Sequence, residues 1–361
     1  MSAATILKHL QALVACDTQN PPRKIDGDSD IFAYCREVLP TGFETRVWDH
    51  GDGHVSWFAV RGRPKVLFNV HLDTVPAGEG WTSDPLELRV AGGRAHGRGA
   101  CDIKGAAAVL LALAEQGVGH LALLLTSDEE GAGGCCVARF LEAGEGERFE
   151  QVVVAEPTFC RAALGHRGYL SVQTRFHGEQ GHSSAARSLR DNANHQMARW
   201  AARALELAAS AKLSDEEPGA CFNLGFVKGG TKSNVIAGGA IVHWSARLRP
   251  AEANQAFLQA VQACAEPGAA VGWEVVFQGE PLPAAGRDDE AARSVCAAHS
   301  LPAGDPVDFW TEAALFSAAG LPVLVLGPGN IEQAHASDEW VAVEQMEQAY
   351  ELYGRVVNSD G

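Results

Sequence analysis

A short apolar segment that ends in histidine or acidic residues recurs along this chain, and this recurrence restricts the fold more than any other feature. The stretch Val66–Pro76 begins as an apolar run and closes with proline, which predicts a buried strand. In parallel α/β sheets, ligands bind just beyond the carboxyl ends of the strands, where His71 is placed. Asp73 lies on the same side of an extended chain and can hold one imidazole nitrogen.

Three further apolar segments have the same organisation. With the polar residues that follow them, they are Leu121–Leu125 with Asp128, Glu129 and Glu130; Val152–Ala155 with Glu156; and Val323–Leu326 with a loop leading to His335, Asp338 and Glu339. Asp102 lies in the glycine-rich turn Gly97–Gly105, just before an alanine-rich helix. Such regularity is hard to obtain by chance, and it predicts an α/β fold with a mostly parallel central sheet flanked by helices.

The pattern changes between residues 165 and 277. Half-exposed strands and long helical segments are predicted there at Tyr169–Phe176, Asp191–Ala209, Leu224–Val227, Ala240–Leu248, Ala251–Ala265 and Trp273–Phe277. This order favours a small α+β domain with an antiparallel sheet, inserted into the first domain. We therefore predict a catalytic domain formed by residues 1–164 and 278–361, with an inserted domain at 165–277.

Composition favours a small-molecule partner. The formal net charge is -16, which opposes binding to nucleic acid or to an anionic membrane surface. The nine cysteines form no C-x-x-C pair, which favours a reducing cytoplasm. The amino-terminal segment has helical spacing and does not resemble a signal peptide, and no apolar run reaches the ~18 residues that a membrane helix needs.

The polar residues collected above suit a catalytic metal centre. Imidazole and carboxylate ligands without thiolate favour zinc, cobalt or manganese. Two histidines and three carboxylates are too many for one four-coordinate catalytic ion, but they suffice for two ions if one carboxylate bridges, and Asp102 is the natural bridge. Two ions ~3.5–4 Å apart can activate water and polarise a carbonyl oxygen.

Glu129 and Glu130 are neighbours, so their side chains point in different directions after a strand. One can bind metal while the other moves protons between water and a leaving amine, as amide hydrolysis requires. The alternative is that Asp128, Glu129 and Glu130 form a solvated acidic loop. The buried strand that precedes them argues against this alternative.

Five segments together resemble one family, that of acetylornithine deacetylase and succinyl-diaminopimelate desuccinylase, which are dinuclear metallohydrolases. They are His71–Pro76, Gly97–Gly105, Ser127–Gly131, Ala155–Thr158 and Ala334–His335. Trp310–Ala313 and Leu326–Ile331 resemble the deacetylases of arginine biosynthesis, and Val307–Ala313 most resembles the variant that acts on N-acetylcitrulline. The resemblance implies a zinc-exopeptidase-like fold and removal of the acetyl group from N-acetyl-L-citrulline or N-acetyl-L-ornithine.

The resemblance also implies residue roles. One Zn²⁺ or Co²⁺ ion would be bound by His71, Asp102 and Glu156, and a second by Asp102, Glu130 and His335. Glu129 would be the catalytic base, with Asp73 behind His71. The inserted domain would correspond to the family's lid domain, which often also mediates homodimerisation.

Three residues of the inserted domain match substrate-binding positions of the family. His182 would stabilise the oxyanion, and Asn234 and Arg247 would bind the substrate carboxylate, which suits the bidentate geometry of guanidinium. Many relatives have Asp two residues before this arginine, where this chain has Ser245, so Arg249 is an alternative. The alternative to a substrate-binding role is that His182 is a solvated histidine and that Asn234 caps a turn.

Further interpretations are open. Glu312 either recognises substrate or caps the helix that follows it. A metallo-dipeptidase or carboxypeptidase would use the same metal centre with a different pocket, and a catalytically silent ligand-binding protein would use the same fold. A serine hydrolase is disfavoured, because no G-x-S-x-G elbow occurs. The remaining histidines are interpreted as structural or surface residues: His9, His50, His54, His96, His120, His166, His177, His195, His243 and His299.

Overall fold

The computed structural model of this protein describes residues 3–22, 24–131, 135–210, 221–248 and 254–358. The chain divides into two compact units. The first comprises Met1–Gly165, Gly286–Val307 and Thr311–Gly361, and the second comprises His166–Ala285 and Asp308–Trp310. The second unit therefore lies within the chain of the first.

Helices and strands occur in both units. The helices, in chain order, are α1 (Ala3–Ala15), α2 (Asp30–Val38), α3 (Gly105–Glu115), α4 (Cys135–Glu142), α5 (Ala193–Ser210), α6 (Asn254–Ala263), α7 (Glu290–Ala298), α8 (Ala313–Ala318) and α9 (Val343–Asn358). The strands are β1 (Glu44–Asp49), β2 (Val55–Arg61), β3 (Val66–His71), β4 (Arg89–Ala91), β5 (Arg94–His96), β6 (Leu121–Thr126), β7 (Gln151–Val154), β8 (Gly168–His177), β9 (Gly181–His182), β10 (Cys221–Gly229), β11 (Val235–Ile236), β12 (Gly239–Leu248), β13 (Val271–Gly279), β14 (Val323–Val325) and β15 (Trp340–Ala342).

The first unit is built on a six-stranded sheet with the order β1-β2-β6-β3-β7-β14. β3 runs parallel to both β6 and β7, and β14 runs parallel to β7. β1 and β2 are antiparallel to their neighbours and form one side of the sheet. The prediction of a mostly parallel sheet in an α/β fold is confirmed.

The central strands are buried on both faces, because their sequences are continuously apolar. Every residue of β3 and of β6 is buried. Helix α3 has a run of buried residues from Gly105 to Ala114, and it packs against α1 and α9. Its alanines and glycine carry little side-chain volume, so the neighbouring helices can approach its backbone closely.

The parallel register determines which residues leave the sheet together. His71, the last residue of β3, pairs with Thr126, the last residue of β6. On the other side of β3, Asn69 pairs with Val154, the last residue of β7. The three strands thus end at the same edge, and the residues that follow them begin side by side.

The second unit contains an antiparallel sheet with the order β10-β12-β8-β13, and β9 pairs with β11 in a separate two-stranded ribbon. Helices α5 and α6 pack on this sheet. The helix predicted at Ala251–Ala265 is observed over α6, and residues 251–253 of that prediction lie outside the described residues. In β8 and β12, buried residues alternate with more exposed ones, which explains why these strands could be predicted from the alternation of apolar and polar residues.

The cysteines and the apolar character of the helices were both considered in the sequence. The nine cysteines, all of which lie within the described residues, are free thiols. Among the helices described here, none has both the length and the apolar character that crossing a membrane requires.

Trp200 organises the core of the second unit, and its truncation should destabilise that unit. The side chain is 1% exposed, its ring lies 5.4 Å from that of Phe176 and 5.8 Å from that of Trp273, and its Nε1 donates to the carbonyl of Val261 at 3.0 Å. We expect Trp200→Ala to lower the free energy of unfolding by about 3–5 kcal/mol.

Urea unfolding followed by circular dichroism measures this change. Leu205→Ala on the same helix is the control, because Leu205 is 48% exposed and its truncation should change the free energy of unfolding by less than about 0.5 kcal/mol. Equal effects of the two substitutions would contradict a core role for Trp200.

Candidate metal centre

The shared edge of the parallel strands brings distant parts of the chain together. β3 ends in His71, the loop after β6 carries Glu129 and Glu130, and Glu156 follows β7 by two residues. Asp102 lies in the turn Ala100–Lys104, which precedes α3, and its own backbone conformation is not helical. The carboxyl ends of parallel strands are where α/β folds place their ligands, so this edge is the candidate site.

His71, Asp102 and Glu156 form one group of potential metal ligands. The Nε2 atom of His71 lies 3.0 Å from Oδ1 of Asp102 and 3.8 Å from Oε1 of Glu156. All three side chains are buried. An imidazole and two carboxylates at this spacing can converge on one divalent ion.

Asp102, Glu130 and His335 form a second group. The Nε2 atom of His335 lies 2.9 Å from Oε1 of Glu130 and 3.3 Å from Oδ2 of Asp102. Asp102 therefore directs one carboxylate oxygen to each histidine. A carboxylate shared in this way has the arrangement of a bridging ligand.

Asp73 contacts the site differently from the expectation. The Nδ1 atom of His71 lies 3.0 Å from the main-chain carbonyl of Asp73 and 3.5 Å from its carboxylate. The carboxylate of Asp73 also accepts hydrogen bonds from the main-chain N–H groups of Glu130 at 3.0 Å and Glu129 at 3.3 Å, and from the amide of Asn20 at 2.9 Å. Asp73 thus orients the imidazole through its carbonyl and anchors the Glu129–Glu130 loop through its carboxylate.

The electrostatics of the site indicate more negative charge than the protein itself neutralises. Burial raises the pKa of Glu129 and of Glu156 well above the usual value for a glutamate, and neighbouring carboxylates raise both further. Burial also raises the pKa of Glu130. Burying carboxylates next to one another is unfavourable unless a positive charge compensates them.

The two histidines lie between these carboxylates, which favours their protonated forms. Burial alone would lower the pKa of His71, but hydrogen bonds to Asp102 and Asp73 raise it well above its usual value. Hydrogen bonds to Asp102 and Glu130 raise the pKa of His335 to about 10. These are the protons that divalent cations would displace, because metal ligands bind in their deprotonated forms. The donor set, its spacing and its surplus negative charge therefore fit divalent metal ions.

Glu339 supports the turn that carries Asp102, a role that the sequence did not predict. Its carboxylate is 1% exposed and accepts hydrogen bonds from the main-chain N–H groups of Gly99 at 2.9 Å, Cys101 at 2.8 Å and Asp102 at 3.0 Å. It also pairs with the buried guanidinium of Arg98 at 2.7 Å. Glu339 thereby sets the conformation of the turn that carries Asp102.

Glu312 lies buried near the end of β6. Its Oε2 accepts a hydrogen bond from the hydroxyl of Thr126 at 2.8 Å, and burial together with the charge of Asp128 raises its pKa to about 8. It precedes α8, but its side chain makes no capping hydrogen bond there. Of the two expectations for Glu312, helix capping is therefore not observed.

The predicted substrate-binding residues lie in the second unit. His182 is exposed, and its Nδ1 lies 2.8 Å from the hydroxyl of Ser184. Asn234 is exposed, and its carbonyl accepts a hydrogen bond from the N–H of Ser183, which places it beside His182.

Arg247 is partly buried in β12 of the same unit, and its guanidinium carbon lies 3.7 Å from the ring centroid of Tyr169. This stacking is a cation–π contact and restricts the orientation of the guanidinium plane. The alternative arginine, Arg249, lies outside the described residues.

Comparisons with known proteins agree with this geometry. The family model described as Peptidase family M20/M25/M40 matches residues 67–359. The chain is 46% identical over 363 residues to the N-acetyl-L-citrulline deacetylase of Xanthomonas campestris pv. campestris, a match that covers 98% of each chain. It is 32% identical over 330 residues to the acetylornithine deacetylase of Myxococcus xanthus, covering 86% of this chain and 85% of that one.

Among solved structures, the aminopeptidase PepT of Bacillus cereus has a TM-score of 0.75 to this protein, and the match covers 99% of this chain and 98% of that one. The sequence identity is 17%, so the likeness concerns the fold alone.

The role of Glu339 predicts a specific effect of its substitution. In Glu339→Gln, an amide group replaces one acceptor oxygen and faces the main-chain N–H groups of the Asp102 turn. We expect metal affinity to fall by about 10- to 100-fold, as is common when a residue that orients a ligand is changed. Competition for Zn²⁺ with a chromophoric chelator measures the affinity.

Glu332→Gln is the matched control, because Glu332 is exposed and precedes His335 by three residues. This control variant should bind metal as the wild type does. An unchanged affinity in Glu339→Gln would show that the Asp102 turn does not depend on Glu339.

Proposed function

Because this chain belongs to the peptidase family M20/M25/M40, as the resemblance of its motifs predicted, we propose that it is a metal-dependent deacetylase that removes the acetyl group from an N-acetyl-L-amino acid. The products are acetate and the free amino acid. The observation that carries the proposal is the position of Asp102, whose two carboxylate oxygens face two separate histidine–carboxylate groups.

In this proposal the two groups hold the metal. His71, Asp102 and Glu156 bind one divalent ion, and Asp102, Glu130 and His335 bind the second. The chemistry that such ions supply is polarisation of an amide carbonyl and a lowered pKa for water. We propose zinc or cobalt, because imidazole and carboxylate ligands suit both.

Glu129 is the proposed base. It belongs to neither ligand group, yet its carboxylate interacts electrostatically with Asp102, Glu130 and Glu156. Glu129 takes a proton from the attacking water, and the water oxygen forms the new bond to the acetyl carbon. When the C–N bond breaks, the proton passes to the leaving nitrogen. The contacts of Asp73 with the main chain of Glu129 support this role, because they hold the loop in one position.

Three residues are responsible for substrate recognition in this proposal. Arg247 binds the α-carboxylate, and its stacking on Tyr169 supports a fixed guanidinium plane for that bidentate pair. Asn234 contributes to the same carboxylate. His182 donates to the oxygen that becomes negatively charged during hydrolysis.

Of the two candidate substrates, we favour N-acetyl-L-citrulline. The 46% identical relative is named for that substrate, whereas the relative named for acetylornithine is 32% identical. Citrulline has a neutral side chain and ornithine a cationic one. Participation in arginine biosynthesis, a cytoplasmic location and homodimerisation through the inserted domain stay predictions from the sequence.

A substrate panel with metal depletion tests the proposed function. We expect the purified protein to hydrolyse N-acetyl-L-citrulline faster than N-acetyl-L-ornithine, and both faster than dipeptides, in steady-state measurements of kcat/KM. Exhaustive chelation should abolish the activity, and Zn²⁺ or Co²⁺ should restore it, because the proposed chemistry requires the ions. Preferred hydrolysis of dipeptides would instead establish a metallopeptidase, and full activity after chelation would refute the metal-dependent mechanism.

Substitution of the two neighbouring glutamates separates the base from the ligand. We expect Glu129→Gln to retain its metal and to lower kcat by about 10²- to 10⁴-fold, because the amide cannot accept the proton. Glu130→Gln should instead lower the metal content, since it replaces a proposed ligand. Turnover and metal content, the latter by inductively coupled plasma mass spectrometry, are measured on the same preparations. Turnover of Glu129→Gln near that of the wild type would eliminate Glu129 as the base.

A further inference from the structure

A third group of metal-binding side chains lies in the first unit, separate from the two groups already described. His54, Asp128 and Cys135 each place a potential ligand atom within 4.8 Å of the others. They come from three different elements: His54 directly precedes β2, Asp128 follows β6 by two residues, and Cys135 begins α4. The function proposed above uses none of them.

The spacing within this group resembles the spacing in the proposed catalytic groups. The Nδ1 atom of His54 lies 2.8 Å from Oδ2 of Asp128. The corresponding imidazole–carboxylate distances are 3.0 Å for His71 with Asp102 and 2.9 Å for His335 with Glu130. An imidazole and a carboxylate held this close, with a thiol beside them, form a donor set that zinc prefers.

The surroundings of the Asp128 carboxylate favour a bound cation. Its side chain is 0% exposed. Oδ2 accepts hydrogen bonds from His54 and from the N–H of Cys136, but within the described residues nothing donates a hydrogen bond to Oδ1. The nearby carboxyl of Glu312 adds negative charge. A buried carboxylate with an unsatisfied oxygen costs free energy that a bound cation would recover.

We propose that His54, Asp128 and Cys135 bind a zinc ion that is distinct from the catalytic ions and that anchors the loop after β6. The Cys135 thiol loses its proton to solvent when the ion binds, so that a thiolate, a carboxylate and an imidazole are the ligands. The thiolate selects zinc or cadmium over magnesium or manganese, which prefer oxygen ligands. His54 and Cys135 are partly exposed, so an ion can reach the site from solvent.

The position of the site gives the ion a structural role. It joins the start of β2, the loop after β6 and the start of α4. Asp128 is the residue immediately before Glu129, and the Glu129–Glu130 main chain is held on its other side by Asp73. An ion at Asp128 would therefore hold the residue immediately before the proposed base, in addition to the contacts of Asp73 with Glu129 and Glu130.

Metal counting tests the proposal. Wild type, Cys135→Ser and His54→Ala are equilibrated with the same buffered free Zn²⁺ concentration, one that saturates the wild type, and bound zinc is counted by inductively coupled plasma mass spectrometry. Each variant should bind one zinc ion fewer per chain than the wild type. Cys296→Ser is the matched control, because Cys296 is also a partly buried free thiol, and it should bind as many ions as the wild type.

Cobalt substitution gives a second readout. Co²⁺ bound to a thiolate produces a sulfur-to-cobalt charge-transfer band, and the proposed catalytic ligands include no sulfur. The band should be present in the wild type and in Cys296→Ser, and absent from Cys135→Ser. Equal zinc content in wild type and Cys135→Ser, or a band that persists in Cys135→Ser, would overturn the proposal.

This test is independent of the proposed deacetylase activity. If the catalytic centre binds fewer ions than proposed, the totals fall in all proteins, but the difference of one ion between wild type and Cys135→Ser persists. The metal count therefore distinguishes a failure of the proposed activity from a failure of this site.

Discussion

The concentration of buried carboxylates at one edge of the parallel sheet is the constraint on which this structure depends. Asp102, Glu129, Glu130 and Glu156 lie close enough to affect one another's pKa, and Asp102 and Glu156 are buried. Such a group is unfavourable in a protein interior unless positive charge or hydrogen-bond donors compensate it. Two histidines supply part of the compensation, and divalent ions bound by the same ligands would supply the rest.

Two further carboxylates, which belong to neither of these groups of potential metal ligands, support this arrangement. Asp73 and Glu339 each accept main-chain N–H groups, Asp73 from the Glu129–Glu130 loop and Glu339 from the turn around Asp102. Each of them therefore holds the main chain that carries a proposed metal ligand. Sites of this kind need such support, because ligand positions must be held within a fraction of an ångström.

Much of this organisation was predictable from the residues. The strands β3, β6 and β7 could be predicted, because a short continuous apolar run followed by polar residues is typical of a buried strand. The helix α4 was not predicted, because its eight residues, Cys135–Glu142, are few and follow a glycine-rich segment. Short helices such as α7 and α8 were missed for the same reason, since a period of 3.6 needs several turns to become visible.

Side-chain partners were less predictable than elements. His54 was grouped with structural histidines, because neither Asp128 nor Cys135 is near it in the sequence. Glu339 was noted only as an acidic residue after the last apolar segment, and its contacts with the Asp102 turn were not predicted, since its partners lie about 240 residues earlier in the chain. Asp73 was expected to hold His71 with its carboxylate, but the shorter contact runs through its carbonyl. These outcomes depend on how the loops close, which local pattern does not encode.

The sequence by itself determined the strands of the central sheet, their mostly parallel order and the residue types available for chemistry, because apolar periodicity and ligand chemistry are local properties. The tertiary structure alone decided that Asp102 faces two histidines with separate oxygens, that Glu339 supports its turn, and that His54 meets Asp128 and Cys135. Contacts of this kind join residues far apart in the chain, so they exist only once the register of β3 with β6 and β7 has aligned the strand ends.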